Sequence, residues 1–328
     1  MKNILIVIDD IEFKYFELNK LVTNFWFVWE YLRRENKVFI TLKNKLFQKR
    51  NIPYALVFET HIKNNDIIKE EKPTIKCLND FNTIFFRPDP PVDIDYINAS
   101  YILSCVNKDV FIINNPQAIR ERNEKLYINE FQGIIPNNIV SADEKILKEF
   151  LFENKEIIIK PLNRCFGSGV FYLNDKDKNI NAILSSATNK FTTQVMAQVY
   201  LPQIVNGDKR LIYVCGEIFE YCVTKVASNN DFKFNEHNEN TLKIAKLTQE
   251  EKLIESKVKD KFEYDGIYLA GLDVIDGKII EINVTSPCFF IKEINELFNI
   301  SFEKIIVDKI ESYSNARSTA LLTTINFL

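Results

Sequence analysis

Three oxygen-bearing side chains stand close together between positions 271 and 287, where the sequence reads GLDVIDGKIIEINVTSP. Asp273, Glu281 and Asn283 lie among Leu, Val and Ile in two apolar stretches. Buried carboxylates need a partner or a metal. Oxygen ligands suit Mg²⁺, which retains several waters and completes its shell with substrate phosphates. The pattern therefore indicates a magnesium site, with a solvent-exposed acidic hairpin edge as the alternative interpretation.

The turn between the two stretches decides whether these side chains share a face. A two-residue turn at Asp276-Gly277 is the default for a hairpin. It would place Asp273 and Glu281 on opposite faces, because side chains alternate along a strand. A three-residue loop, with Gly277 in the left-handed region, places Asp273, Glu281 and Asn283 on one face. We therefore predict the three-residue loop, formed by Ile275, Asp276 and Gly277.

Composition restricts the class of protein. The 328 residues are 46% hydrophobic and 27% charged, which is typical of a soluble globular chain with two or three packed units. A net charge of −3 gives no basic surface, so nucleic acid and anionic membranes are not expected partners. No apolar run approaches the length of a membrane span. The two histidines, His61 and His237, lie in polar sequence and argue against a histidine triad or zinc site.

Cysteine usage predicts a reduced, cytoplasmic protein. The six cysteines are scattered, and none forms a CxxC pair. The apolar start runs directly into Asp9 and Asp10, which is unlike a signal peptide.

The first third of the sequence has the pattern of a small parallel α/β unit. The predicted strands are 2–8, 38–42, 83–86 and 110–113, the predicted helices lie near 25–32 and 93–104, and 47–82 reads as loops and short edge strands. Arg87-Pro88-Asp89-Pro90-Pro91 ends the third strand sharply. Because ligands bind in loops after the strands of such sheets, Asp9, Asp10, Arg87 and Asp89 are expected to face one crevice.

After a boundary near 114–116, the pattern changes to antiparallel strands. A helix is predicted to open at 123–126, a strand lies near 138–140, and capping boxes are predicted at 141–144 and 248–251. Strands at 156–160 and 170–173 flank a glycine-containing loop that could cover phosphate. Lys160 ends the first of them and is costly there unless it meets an anion, which favours a phosphate ligand over a solvated edge lysine.

The remainder of this half is predicted to contain strands at 193–199, 209–214 and 218–226, followed by a mobile loop or lid at 227–243. Closing helices are predicted at 289–297 and 302–314, and 317–328 reads as a tail or an interface strand.

Several segments resemble the bacterial glutathione synthetases, members of the ATP-grasp carboxylate–amine ligases. In family order they are RPDPPVDIDYINASYIL, INNPQAIRERNEKL, IIIKPL, MAQVYLP, GDKRLIYVCGE and GLDVIDGKIIEINVTSP. The resemblance implies an α/β and α+β chain, with an N-terminal parallel α/β (pre-ATP-grasp) domain followed by an ATP-grasp fold. The expected divisions are 1–121, then 122–316 with lobes of about 122–195 and 196–316, then a tail at 317–328.

The resemblance also implies the roles of individual residues. The residues expected to bind ATP are Lys125, Lys160, Gly167, Gly169, Gln198, Tyr200, Leu201 and Asp208. Asp273, Glu281 and Asn283 would hold Mg²⁺ or Mn²⁺. The expected catalytic residues are Arg210, Lys225 and Asn235, and the expected substrate-binding residues are Arg87, Asp89 and Ser286.

The implied chemistry is transfer of phosphate from ATP to a carboxylate, followed by attack of an amine on the acyl phosphate to form an amide. This reaction needs positioning and charge neutralisation but no protein nucleophile. In the family the donor is γ-glutamylcysteine, the acceptor is glycine, and the enzyme is a homo-oligomer, with a tetramer as one expected form.

The sequence departs from the family in the loops that cover the substrates. The flap at 161–170 has lost two glycines, Lys225 stands where the family has a second arginine, and the lid at 228–240 keeps only Asn235 clearly in place. Three hypotheses follow: a divergent glutathione synthetase, an ATP-grasp ligase with a different amine acceptor or γ-glutamyl donor, and a nucleotide-binding protein without turnover.

Overall fold

A mixed β-sheet forms the N-terminal part of the protein. The computed structural model describes residues 1–9, 20–165, 167–226 and 241–325. The strands of this first sheet are β1 (Asn3–Ile8), β2 (Lys37–Leu42), β3 (Leu46–Lys49), β4 (Ile52–Lys63), β5 (Asp66–Lys69), β6 (Thr74–Cys77), β7 (Thr83–Phe86) and β8 (Phe111–Ile113). Their order is β3-β4-β2-β1-β7-β8, and β5 and β6 also pair with β4.

The centre of this sheet is parallel, as the apolar strands predicted. Strand β1 pairs in parallel with β2 and β7, and β7 pairs in parallel with β8. The helices α1 (Thr23–Arg33) and α2 (Ile94–Leu103) connect these strands. The prediction for 47–82 was incomplete, because this segment contains β4, a strand of 12 residues that pairs antiparallel with β2. Alternating burial along β4 shows that one of its faces packs on the core.

The chain then crosses to a four-stranded antiparallel sheet through α3 (Pro116–Glu121). This second sheet has the order β11-β10-β12-β9. Its elements are β9 (Asn138–Ser141), α4 (Glu144–Asn154), β10 (Glu156–Pro161), β11 (Phe171–Asn174), α5 (Ile180–Ala187) and β12 (Val195–Val199).

Two local predictions for this region were wrong. The segment 123–126 opens no α-helix and leads into a 3₁₀ turn at Tyr127–Glu130. The cap of α4 is Asp143, whose side chain accepts the backbone N–H of Ile146. Ser141 is the last residue of β9, and its hydroxyl accepts the N–H of Asp143. The nearer carboxylate thus replaces the predicted capping box.

The third sheet has the order β16-β15-β13-β17-β18, with β14 paired to β13. Its elements are β13 (Asp208–Val214), β14 (Glu217–Ile218), β15 (Tyr221–Val226), β16 (Thr241–Lys246), α6 (Gln249–Asp265), β17 (Leu269–Ile275), β18 (Lys278–Asn283), α7 (Ile291–Phe298) and α8 (Phe302–Ile325). The capping box between Thr248 and Glu251 is confirmed. Most of the predicted lid, 227–240, lies outside the described residues, whereas 241–243 belong to β16.

The last helix packs against the N-terminal part of the chain. No glycine or proline interrupts 302–325, and α8 runs through Ile325, so 317–325 is helical and the predicted interface strand is wrong. Arg34 Nη2 lies 2.8 Å from Asp308 Oδ1, and the Lys2 ammonium pairs with Glu311. A single apolar core includes residues of β1, α1, β13 and α8. Among the described residues no helix is long and apolar enough to cross a membrane.

Candidate active site

The hairpin of β17 and β18 brings the three oxygen-bearing side chains to one face. Ile275 pairs with Lys278, so the connection is a two-residue turn with positive φ at Asp276 (49°) and Gly277 (70°). The predicted three-residue loop is therefore wrong, although Gly277 is left-handed as expected. The register shifts after Asp273, which lies opposite Glu281.

A β-bulge in β18, and not a three-residue loop, places Asp273 and Glu281 on one face. Val274 pairs with Ile279 and Asp273 with Glu281, so Ile280 is an extra residue on β18. The extra residue reverses the alternation, and Asp273 and Glu281 consequently share a face. Asn283 joins them, since its amide donates a 3.1 Å hydrogen bond to Asp273 Oδ2.

Two cations bind the Asp273 carboxylate. Arg210 lies opposite Asp273 in the pairing of β13 and β17, and its guanidinium donates to both carboxylate oxygens at 2.8 and 3.1 Å. Lys225, on β15, places its ammonium 3.1 Å from Asp273 Oδ1 and 2.5 Å from Asp208 Oδ2. All four residues are buried, with at most 9% of each exposed, so the interpretation of a solvent-exposed acidic hairpin edge is wrong for Asp273.

The charges in this cluster fix its protonation. Burial alone would raise the pKa of Asp273, but the charges of Arg210 and Lys225 outweigh burial and hold that pKa well below its usual range. Burial raises the pKa of Asp208 despite the adjacent Lys225. Asp273 is therefore an anion over the physiological pH range.

Lys160 lies on the neighbouring lobe, facing this cluster. It lies one residue before the end of β10 and is 7% exposed. Its ammonium donates to Gln198 Oε1 at 2.8 Å and to the backbone carbonyl of Ile280 at 3.3 Å. Burial lowers the pKa of Lys160 to about 8. The alternative of a solvated edge lysine is wrong. The Nε2 atom of Gln198 is buried without a hydrogen-bond partner in the described part of the chain, which leaves a donor for a ligand.

Lys125 connects the hairpin to the flap. Its ammonium lies 3.2 Å from Glu281 Oε1 and donates to the backbone carbonyl of Arg164 at 2.7 Å. Gly167 and Gly169 have φ values of 67° and 73°, which favour glycine. A Cβ atom at Gly169 would lie 3.0 Å from Pro161 Cγ, so the flap also requires a small residue there. Phe166 lies outside the described residues.

A turn after β18 receives contacts from several distant elements. Ser286 donates to the carboxylate of Asp89, whose backbone N–H in turn donates to Asp9 at 3.1 Å. Arg87 Nη2 donates to the carbonyl of Pro287 at 2.9 Å. Arg87 is 3% exposed and lies near the rings of Phe27 and Phe289. It therefore contacts the turn from the buried side.

The remaining predicted residues lie at the edge of this arrangement or beyond it. Tyr200 and Leu201 follow β12, and the N–H of Tyr200 donates to the carbonyl of Glu156 at 3.0 Å. The ring centroid of Tyr200 lies 4.9 Å from that of Tyr172. Asn235 lies outside the described residues.

Asn114 and Asn123, which support this arrangement, were missed by the sequence analysis. Asn114 donates to the carbonyls of Leu269 and Val284 at 2.7 and 2.8 Å, and so holds the ends of β17 and β18 together. Asn123 donates to the carbonyl of Leu162 in the flap at 3.0 Å. Consecutive polar residues at 123–125, at a boundary between predicted elements, were the available signal.

Comparisons with known proteins agree on the family. The model of the prokaryotic glutathione synthetase N-terminal domain matches residues 3–120, and that of the prokaryotic glutathione synthetase ATP-grasp domain matches 124–299. The glutathione synthetase of Synechococcus elongatus is 34% identical over 241 residues, covering 73% of this chain and 74% of that protein. The glutathione synthetase of Buchnera aphidicola is 32% identical over 292 residues, covering 88% and 91%.

Solved structures show the same fold at low identity. The D-cycloserine synthetase DcsG superposes with a TM-score of 0.65 at 13% identity, covering 97% of this chain and 99% of that chain. D-alanyl-alanine synthetase A from Vibrio cholerae gives a TM-score of 0.59 at 14% identity, covering 96% and 99%. The chain belongs to the prokaryotic glutathione synthetase family and is an ATP-dependent ligase of the ATP-grasp fold.

Proposed function

We propose that this protein uses ATP to join γ-glutamylcysteine to glycine, forming glutathione in the cytoplasm. The observation that carries the proposal is the buried cluster of Arg210, Lys225 and Asp273, which lies beside Glu281 and opposite Lys160. Such a cluster supplies cations for the phosphates and carboxylates for a metal. The identities of the substrates are proposed from the similarity to glutathione synthetases over both parts of the chain.

The residues present fit Mg²⁺ or Mn²⁺. Asp273, Glu281 and Asn283 carry the hard oxygen atoms that these ions prefer, on the shared face of one hairpin. We propose these three residues as the metal ligands. The bound ion would neutralise charge on the phosphate groups of ATP.

The nucleotide would lie between the second and third sheets. Lys125 and Lys160 would bind phosphates, with Gly167 and Gly169 of the flap covering them. The edge of β12 and the residues after it would bind the base, through Gln198, Tyr200 and Leu201. Asp208, which the resemblance places among the ATP-binding residues, is paired with Lys225 and would contribute by holding that ammonium in place.

The reaction itself would use positioning and charge. The donor carboxylate would attack the terminal phosphorus of ATP and release ADP. The amine would then attack the acyl phosphate, forming the amide and releasing inorganic phosphate and a proton. The planar fork of Arg210 suits the oxygen atoms of both steps, because it can donate two parallel hydrogen bonds. Lys225 adds a second positive charge. Asn235 would contribute from the acceptor-side loop, as the resemblance implies.

The substrate dipeptide would bind where the N-terminal loop meets the turn after β18. Asp89 and Ser286 are in contact there, and Arg87 supports the same turn through Pro287. We propose small-molecule partners and a homo-oligomer, with a tetramer as the form to test by analytical ultracentrifugation.

The test incubates the purified protein with ATP, Mg²⁺ and γ-glutamylcysteine, with and without glycine, while phosphate and glutathione are measured together. Glycine-dependent glutathione formation is expected, and Arg210→Met should abolish it because no planar donor remains. Phosphate release without glutathione would favour a different amine acceptor. Binding of ATP with neither product, even with a panel of donors and amines, would favour a protein without turnover.

A further inference from the structure

Glu124 is not among the proposed ligands of ATP, metal or substrate, yet its carboxylate accepts three hydrogen bonds from the turn after β18. Its Oε1 atom accepts the N–H of Val284 at 3.1 Å, the N–H of Thr285 at 3.2 Å and the hydroxyl of Thr285 at 2.8 Å. Its backbone carbonyl accepts the N–H of Ile282 at 3.0 Å. We propose that Glu124 is a positioning residue that fixes the substrate-binding turn relative to the phosphate-binding lysine next to it. This inference rests on the proposed function.

The turn needs such an acceptor because the strand ends before it. Strand β18 pairs with β17 only as far as Asn283, so the N–H groups of Val284 and Thr285 have no partner in the sheet. Both residues are buried, at 0% and 4% exposure. A buried N–H without a partner is costly, whereas a carboxylate forms strong, charge-assisted bonds to several donors at once. Glu124 therefore fixes the path of the backbone after Asn283, the last of the proposed metal ligands.

The residues on either side of Glu124 bond to the hairpin and the flap instead of the turn. Lys125 bonds to Glu281 and to the flap carbonyl of Arg164, and Asn123 bonds to the flap carbonyl of Leu162. Three consecutive residues thus link the flap, the hairpin and the turn. A displacement of this segment would change the distance between the phosphate of ATP and the dipeptide carboxylate, to which reaction rates are very sensitive.

A positioning role and a purely structural role predict different effects on the KM values for the dipeptide and for ATP. Among the described residues, the Lys160 ammonium donates to Gln198 and to the carbonyl of Ile280, whereas the Glu124 carboxylate accepts from the turn; Lys160 and Gln198 are the residues proposed for the nucleotide. Removing the carboxylate should therefore weaken use of the dipeptide much more than use of ATP. Simple support would lower stability and leave the ratio of the two KM values unchanged.

The experiment compares Glu124→Ala and Glu124→Gln with Glu121→Gln, which makes the same chemical change at an exposed site on α3. For Glu124→Ala, kcat/KM for γ-glutamylcysteine should fall about 10- to 100-fold, as for other residues that orient a site, while KM for ATP stays unchanged. Glu124→Gln keeps an oxygen acceptor and should recover most of the loss. Equal effects on the two KM values, or no effect, would overturn the proposal.

Hydrogen exchange gives a readout that does not depend on the reaction. In Glu124→Ala, amide exchange at Val284 and Thr285 should accelerate selectively, while Glu121→Gln leaves it unchanged. Unchanged exchange at these two amides would refute the positioning role. Failure of the wild-type protein to make glutathione would instead refute the proposed function, and the exchange result would still apply. If Glu124→Ala does not fold, Thr285→Val removes one of the three donors and should give the same selectivity with a smaller effect.

Discussion

Gly271 lies in β17 beside the guanidinium of Arg210, where any side chain would disturb the centre of the site. A Cβ atom at this position would lie 2.9 Å from Arg210 Cδ, 3.0 Å from Arg210 Nη1 and 3.1 Å from Pro287 Cβ. Carbon atoms pack best at about 3.5–4.0 Å. The substitution Gly271→Ala should therefore push Arg210 and the turn at Pro287 apart by several tenths of an ångström.

The size of the effect follows from what holds Arg210. Its guanidinium makes bonds of 2.8 and 3.1 Å to Asp273 and one of 3.0 Å to the carbonyl of Cys288. Overpacking typically costs about 1–3 kcal/mol of stability. A hydrogen bond to a charged group contributes about 1.5–3 kcal/mol. Losing one such bond in the transition state lowers kcat/KM roughly 10- to 150-fold, at about 1.4 kcal/mol per factor of ten.

The assay measures glutathione formation and urea unfolding for Gly271→Ala and for a matched control, Gly133→Ala. A Cβ atom at Gly133 meets nothing within 4 Å, but its φ of 86° is unfavourable for alanine. The control should therefore lose about 1–2 kcal/mol of stability and keep its kinetics. Full activity in Gly271→Ala, or equal losses of activity in both variants, would refute the reasoning.

Two further predictions concern the cations of the site. Burial lowers the pKa of Lys160 to about 8, and anionic phosphates favour its protonated form, so affinity for ATP should fall as pH rises through about 8. Titration calorimetry at several pH values measures the affinity for ATP. In Lys160→Arg the side chain stays protonated, so the affinity for ATP should no longer fall as pH rises through about 8. Lys225→Met leaves Asp208 and Asp273 without a shared cation, so urea unfolding should show a loss of about 3–5 kcal/mol; an unchanged midpoint would contradict that expectation.

The regular elements were predictable because local patterns carry the information that forms them. Apolar runs such as 3–8 are buried along their length and form central strands. The capping box at Thr248 was correct because both of its hydrogen bonds are local. The cap of α4 was misplaced because Ser141 and Asp143 both suit that role, and the choice depended on where β9 ended.

The hairpin of β17 and β18 shows a different kind of failure. The common face of Asp273 and Glu281 was inferred correctly, but the irregularity was assigned to the turn when it lies at Ile280 in the strand. Either position adds one residue and reverses the alternation. Only the pairing between strands distinguishes them, since the residues at 276 and 277 suit a two-residue turn with positive φ at both positions.

The resemblance implied a substrate-binding role for Ser286, but the partners of the turn after β18 could not be predicted, because they are distant from it in sequence. Glu124, Asp89, Arg87 and Arg210 bond to consecutive residues of 285–288, across separations of 78 to 200 positions. Thr23 accepts the N–H of Phe289 across 266 positions. These partners come from the N-terminal sheet, the connecting segment and the third sheet. The turn can therefore take its shape only when all three are packed together, which couples the formation of the substrate site to the folding of the entire chain.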